Sequence, residues 1–153
     1  MQFLGPIRAP NTRAFQEQQI EDMMRPDAAT KIFVIETLAA EAIGECGLRN
    51  FDWVSRNAEL LITIGDKRYW GKGYGTDAVW LLLKLAFQRL NLHSVNLTTH
   101  ATNERAIRCY EKCGFVREGL LRQRTFVRGG YIDVVAMSVL GAEYEQRRIA
   151  VGA

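Results

Sequence analysis

Residues 60–79 constrain the fold more than any other part of the chain. A β-rich stretch at residues 58–64 (Ala-Glu-Leu-Leu-Ile-Thr-Ile) is broken by Gly65-Asp66-Lys67. Three glycines then follow, in Gly71-Lys72-Gly73-Tyr74-Gly75-Thr76. Beyond them Ala78, Leu81, Leu82, Leu85 and Ala86 recur at i, i+3, i+4, which predicts a helix over about residues 76–90. A strand, a glycine turn and a helix in that order place the first helical N–H groups where no intrahelical carbonyl reaches them. With the helix dipole they form a seat for a phosphate or diphosphate. The glycines let the backbone approach a ligand closely, and Lys72 adds charge. The spacing is neither that of a Walker loop nor that of a dinucleotide fingerprint. Taken alone it leaves two readings open, an anion-binding turn and a tight turn without a ligand.

At 153 residues the chain supports one domain, read as residues 1–153 with a partial N-terminal helical region at 1–30 and a core at 31–140. A net charge of +3, with the basic residues scattered, argues against a nucleic-acid partner. Cys46, Cys109 and Cys113 are an odd set without metal-ligand spacing, so reduced thiols and no metal site are expected. No apolar leader opens the chain, and Lys84 interrupts the longest apolar stretch. The expectation is a cytoplasmic protein with no membrane partner.

The remaining punctuation predicts a mixed α/β arrangement. A helix is expected after Pro10, ended by Pro26, then a hairpin of strands at 31–38 and 43–48. A short strand follows at 95–99 and a helix at 103–113. Asn103 suits that helix's N-cap, and Gly114-Phe115 suit a Schellman ending. Strands at 119–127 and 131–140 flank Arg128-Gly129-Gly130, a hairpin turn.

Two of these segments together resemble the GNAT (acyl-CoA N-acyltransferase) superfamily. Its signature, Arg or Gln, two residues, Gly, one residue, Gly or Ala, is matched at the glycines of Trp70-Gly71-Lys72-Gly73-Tyr74-Gly75, and Trp70 departs at the Arg/Gln position. Its Asn-x-x-Ala-x-x-x-Tyr-x-x-x-Gly-Phe helix is matched by Asn103, Ala106, Tyr110, Gly114 and Phe115. The form Tyr-Trp-Gly-Lys-Gly-Tyr-Gly-Thr is similar to the branch of ribosomal-protein N-terminal and spermidine acetyltransferases. The resemblance spans residues 31–140. It implies a mixed, mostly antiparallel sheet flanked by helices, with an N-terminus shorter than usual before residue 31.

The implied activity is direct transfer of an acetyl group from acetyl-CoA to a primary amine, such as a protein N-terminus, a polyamine or another small amine. A non-catalytic acyl-CoA-binding module is the alternative. The resemblance assigns coenzyme binding to Gly71, Lys72, Gly73, Tyr74, Gly75 and Thr76 for the diphosphate, and to Thr63, Ile64, Gly65 and Asn103 for the pantetheine arm. It makes Tyr110 the proton donor to the departing thiolate, against a plain reading as a core aromatic on the Ala106-Ile107-Tyr110 face. Glu59 resembles the general base of some members, against a plain reading as a solvent-facing strand residue. His93 and His100 read as surface or turn residues, and Cys109 as a thiol with nothing nearby in sequence to lower its pKa. A sheet edge left exposed by the short N-terminus suggests a homodimer.

Overall fold

The computed structural model describes residues 30–150. The helix predicted between Pro10 and Pro26, and the first and last few residues of the single-domain span, lie outside them. Among the described residues six strands form one sheet: β1 (Thr30–Glu36), β2 (Ala42–Asp52), β3 (Asn57–Ile64), β4 (Ser94–His100), β5 (Val116–Val127) and β6 (Gly130–Leu140). The order is β1-β2-β3-β4-β6-β5, antiparallel everywhere except between β3 and β4. The connection between those two strands carries helix α1 (Tyr74–Lys84), which runs on through a π turn at Leu85–Arg89. Helix α2 (Glu104–Lys112) joins β4 to β5, and helix α3 (Gly141–Ala150) follows β6.

Strand alternation sorts the sheet into two faces. Leu48, Leu60, Ala58, Val95, Leu97, Met137 and Val139 point to one face and are buried in a single core. The helices complete that core with Val79, Leu82 and Leu83, Ile107 and Cys113, and Tyr144. The opposite face carries Glu59, Asn96, Thr98 and Ser138 together with the apolar Leu61, Val134 and Ala136. Most strands thus bury one face beneath the helices, while β6 also buries Val134 and Ser138 on the other.

Several local expectations need adjustment. Helix α1 buries Ala78, Val79, Leu82 and Leu83, while Leu81, which the predicted apolar stripe included, is 68% exposed, and Val79, which it omitted, is fully buried. Leucines here outnumber the core positions, and only packing against β2 and β3 sets the helix rotation. β2 extends to Asp52, past the predicted end, because Arg49 still pairs with Glu59 across the ladder. Helix α3 carries the buried Tyr144 and lies beyond the core predicted to end at 140. The hairpin turn holds, since Arg128 (φ 48°) and Gly129 (φ 81°) give the two left-handed positions of a two-residue loop.

Candidate active site

The β3–β4 ladder is short. Only Asn57↔Ser94, Ala58↔Val95 and Glu59↔Asn96 are in register, on strands of eight and seven residues. Beyond Glu59 and Asn96 the parallel ladder ends. The rest of β3, through Thr63 and Ile64, has its β2 partners but no β4 partners. Backbone groups left unpaired along one side of a strand are what an extended, amide-bearing ligand needs to add itself as a further strand.

The last paired residues belong to a polar row that crosses four strands on the open face: Arg49↔Glu59↔Asn96↔Ser138. Glu59 is held by both carboxylate oxygens, accepting from Arg49 Nη2 at 2.8 Å and from Asn50 Nδ2 at 2.7 Å. Asn96 donates to the Ala58 carbonyl at 3.1 Å, and Ser138 donates to Glu118. Asn57, Ser94, Asn96, Thr98, Glu118 and Ser138 line a groove of about 320 Å³ beside this row.

At the far end of β3, Asp66 caps a single 3₁₀ turn (Lys67–Tyr69), and the glycine turn leads into α1. Gly73 is the N-cap of α1 at φ 89°, a left-handed conformation that a side chain would strain. The first helical bond of the turn runs from Asp77 N–H to the Gly73 carbonyl at 3.0 Å, so the amides before Asp77 lie at the helix's positive end. Trp70 fastens this turn to the strand, its indole Nε1 donating to the Ile64 carbonyl at 2.8 Å. The Arg105 guanidinium lies over the same indole, 3.6 Å from the ring centre. Tyr74 packs edge-on against Tyr69, whose hydroxyl donates to Glu41 at 2.6 Å. Lys72 is exposed.

Helix α2 packs beside this turn. Asn103 accepts from the Ala106 amide at 3.3 Å, as an N-cap should. At the other end, Phe115 N–H bonds the Tyr110 carbonyl and Gly114 N–H the Glu111 carbonyl, each at 3.0 Å, with Gly114 at φ 97°. This is the expected Schellman ending. It turns the chain so that Phe115 meets the Tyr110 ring edge-on at 5.8 Å. Tyr110 is buried, and desolvation raises its phenol above the ordinary tyrosine range, with the Cys109 and Cys113 sulfurs adding to the effect. Its hydroxyl thus stays protonated throughout the neutral range.

Cys109 departs from its expected character. Its sulfur lies 3.5 Å from Thr76 Oγ1, and the Cys113 sulfur approaches the Thr76 carbonyl at 3.9 Å. Hydrogen bonding from Cys113 lowers the Cys109 pKa below the usual thiol value. Burial opposes this, while Thr76, Lys112 and Arg105 assist it. Cys113 moves up through the same hydrogen bond and through burial. Of these groups only Thr76 is distant in sequence; Arg105, Lys112 and Cys113 lie within four residues of Cys109, so the reading that nothing nearby in sequence lowers its pKa is corrected by neighbours on its own helix. His93 is exposed, as expected of a turn residue. His100 is half-buried at the end of β4, and burial lowers its pKa.

The structure therefore gathers the predicted residues into two regions. Thr63, Ile64, Gly65, Gly71, Lys72, Gly73, Tyr74, Gly75 and Thr76 form the strand end and the turn, with Asn103 capping the neighbouring α2. Glu59 lies where the β3–β4 ladder stops. Sequence reasoning missed Arg49 and Asn50 as partners of Glu59, Glu118 and Ser138 in the groove, and Arg105 on Trp70. Only the alternation of β2 and β3 hinted at the first of these.

Residues 1–116 match the family model for a GNAT acetyltransferase domain. The spermidine N(1)-acetyltransferase of Vibrio cholerae is 36% identical over 121 residues, which are 79% of this chain and 69% of that protein. A putative ribosomal N-acetyltransferase of Bacillus subtilis is 36% identical over 67% of this chain and 55% of its own length. Among solved structures, a dodecameric spermidine N-acetyltransferase from Vibrio cholerae superposes with a TM-score of 0.80 at 33% identity, covering 88% of this chain and 77% of that one. These matches are to acetyltransferases, and the alternative of a non-catalytic acyl-CoA-binding module is not retained. Motifs, sheet and relatives agree: the chain belongs to the GNAT acetyltransferase family.

Proposed function

We propose that this protein transfers the acetyl group of acetyl-CoA to a primary amine of a polyamine, bound in the polar groove beside the end of the β3–β4 ladder. The observation that carries the acceptor class is the charge of the open face. Glu45 and Glu59 project from it, and Glu118 is hydrogen-bonded to Ser138 of the same face. Glu118 lines the groove itself, and Glu59 and Glu45 stand beyond it on the same face; carboxylates so placed complement a chain of ammonium groups, and relatives named as spermidine acetyltransferases support the same class.

Bound acetyl-CoA supplies a thioester carbonyl open to nucleophilic attack. The amides from Gly71 to Thr76 hold its diphosphate, Lys72 adds charge, and Tyr74 braces the turn against Tyr69. The free side of Thr63, Ile64 and Gly65 holds the pantetheine amides, with Asn103 closing the arm from α2. An amine with a pKa near ~10 arrives protonated, and Glu59 accepts that proton directly or through water. As the nitrogen–carbon bond forms and the carbon–sulfur bond breaks, the Tyr110 hydroxyl protonates the leaving sulfur, and the second proton that the acylated nitrogen releases restores the Tyr110 hydroxyl through solvent.

We further propose self-association. Among the described residues the sheet ends in β1 and β5, and the 12-residue β5 is exposed along most of its length, with Leu120 and Phe126 on it and Tyr131 beside it. A long edge with exposed apolar side chains is normally covered, and a solved relative is described as dodecameric. Sedimentation is expected to show at least a dimer at micromolar concentration, and a monomer would overturn this reading. We place the protein in the cytoplasm, where the free Cys46, Cys109 and Cys113 stay reduced. Among the described residues no helix is long and apolar enough to cross a membrane.

The acceptor is tested by measuring thiol release from acetyl-CoA with spermidine, an aminoglycoside and a peptide with a free amino terminus. Turnover is expected to be fastest with spermidine. Turnover confined to the peptide would replace the polyamine reading with protein N-terminal acetylation.

A further inference from the structure

We infer that Arg105 is a phosphate-binding residue of the coenzyme site, held ready for its ligand by the Trp70 indole. The inference rests on the coenzyme reading given above and adds a residue that the family motifs do not assign. Trp70 immediately precedes Gly71, and its ring is fixed by the 2.8 Å bond from Nε1 to the Ile64 carbonyl. The Arg105 guanidinium carbon sits 3.6 Å from the centre of that ring, which places a cation against the residue that leads into the phosphate turn. The Lys67 ammonium lies 5.6 Å from the same ring centre and adds a second positive charge.

Three features set Arg105 apart from an ordinary surface arginine. Among the described residues it forms no ion pair with a carboxylate, whereas Arg108 on the same helix pairs with Glu104 at 3.5 Å. It stands in the first turn of α2, where the helix dipole disfavours a cation, so it does not serve helix stability. The indole strips water from one of its faces and lowers its pKa, with the Cys109 and Tyr110 positions the negative neighbours that oppose this. The residue as a whole is nevertheless exposed. Stacking leaves the N–H groups at the edge of the guanidinium plane, which are the groups that grip a phosphate with two parallel hydrogen bonds. A flexible arginine pre-set on an aromatic face also loses less freedom on binding.

Coenzyme A offers this chemistry twice, in its diphosphate and in its ribose 3′-phosphate. The test is calorimetric titration of the wild-type protein, Arg105→Met and Arg105→Lys with coenzyme A and with 3′-dephospho-coenzyme A. Arg105→Met is expected to bind coenzyme A roughly 10- to 100-fold more weakly, the scale of a charged hydrogen-bonded pair, with an unchanged melting temperature because the residue is exposed. Arg105→Lys is expected to recover only part of the loss, keeping the charge without the planar fork. In turnover the change should appear in KM for acetyl-CoA and not in kcat. A penalty that persists with the dephospho ligand assigns Arg105 to the diphosphate, and one that vanishes assigns it to the 3′-phosphate. Coenzyme A binding by Arg105→Met within about twofold of wild type would overturn the inference. A wild-type protein that does not bind coenzyme A would instead remove the coenzyme reading itself.

Discussion

Arg49 Nη2 lies 2.8 Å from Glu59 Oε1, so the carboxylate proposed to take the acceptor's proton is also one half of an ion pair between β2 and β3. The side chains are 46% and 21% exposed, and pairs of that kind contribute only about 0–1 kcal/mol to stability. Glu59→Gln is therefore expected to fold with nearly wild-type stability. Its turnover should fall most at low pH, where the amine is charged, and recover partly as pH rises and free amine appears. A defect of equal size at every pH would assign Glu59 to binding or structure.

Tyr110→Phe keeps the ring edge against Phe115 at 5.8 Å and removes only the hydroxyl. If that hydroxyl protonates the leaving sulfur, kcat should drop roughly 10²-fold or more with little change in KM for acetyl-CoA. Burial holds the phenol protonated, so no loss of the donor is expected on the alkaline limb until well above the ordinary tyrosine pKa. Wild-type turnover in the variant would make Tyr110 a packing residue.

Gly73 and Gly75 separate strain from ligand contact. Gly73 sits at φ 89°, and a β-branched residue there pays the left-handed penalty of about 1–2 kcal/mol while displacing the turn amides. Both stability and coenzyme affinity should fall. An added Cβ at Gly75 would meet only Cys109 Sγ at 3.8 Å and Ile64 Cδ1 at 3.9 Å, and alanine favours the helix by up to about 1 kcal/mol. Gly75→Ala should melt no lower than wild type yet bind coenzyme A more weakly, because the lost contact is with the ligand. Calorimetry paired with thermal melts reads the two effects apart.

Cys109 should be the thiol that reacts first. Its pKa is lowered chiefly by the Cys113 hydrogen bond, while burial raises that of Cys46. Alkylation by iodoacetamide should accordingly begin at lower pH than for an ordinary cysteine, and Cys113→Ala should move the onset upward by removing the donor. The sign carries over to stability. A thiolate favoured in the folded state contributes fully above the unfolded thiol pKa, and that contribution is lost as pH falls through the folded value. Peptide mapping that finds Cys46 labelled before Cys109 would contradict the arrangement.

What the chain alone determined is what depends on near neighbours. The glycines at 71, 73 and 75 specify a strand-to-helix turn because positive φ and close backbone approach are local demands, and two of the three do adopt positive φ. Asn103, Gly114 and Phe115 specify both ends of α2 because caps are made within a few residues. The β-rich run at residues 58–64 specifies a strand there.

Tertiary structure decided everything that joins distant segments. The β3–β4 ladder stops at Glu59↔Asn96, a consequence of how two strands diverge and not of either strand's composition. The rotation of α1 hides Val79 and Leu83 and exposes Leu81, which its leucine-rich pattern left undetermined. Glu59 acquires Arg49 and Asn50, Cys109 acquires Thr76, and Trp70 acquires Arg105 only when strands and helices are brought into register. Charges, pKa values and stacking depend on distances of a few ångströms between segments, and pattern along the chain encodes direction and periodicity but not those distances.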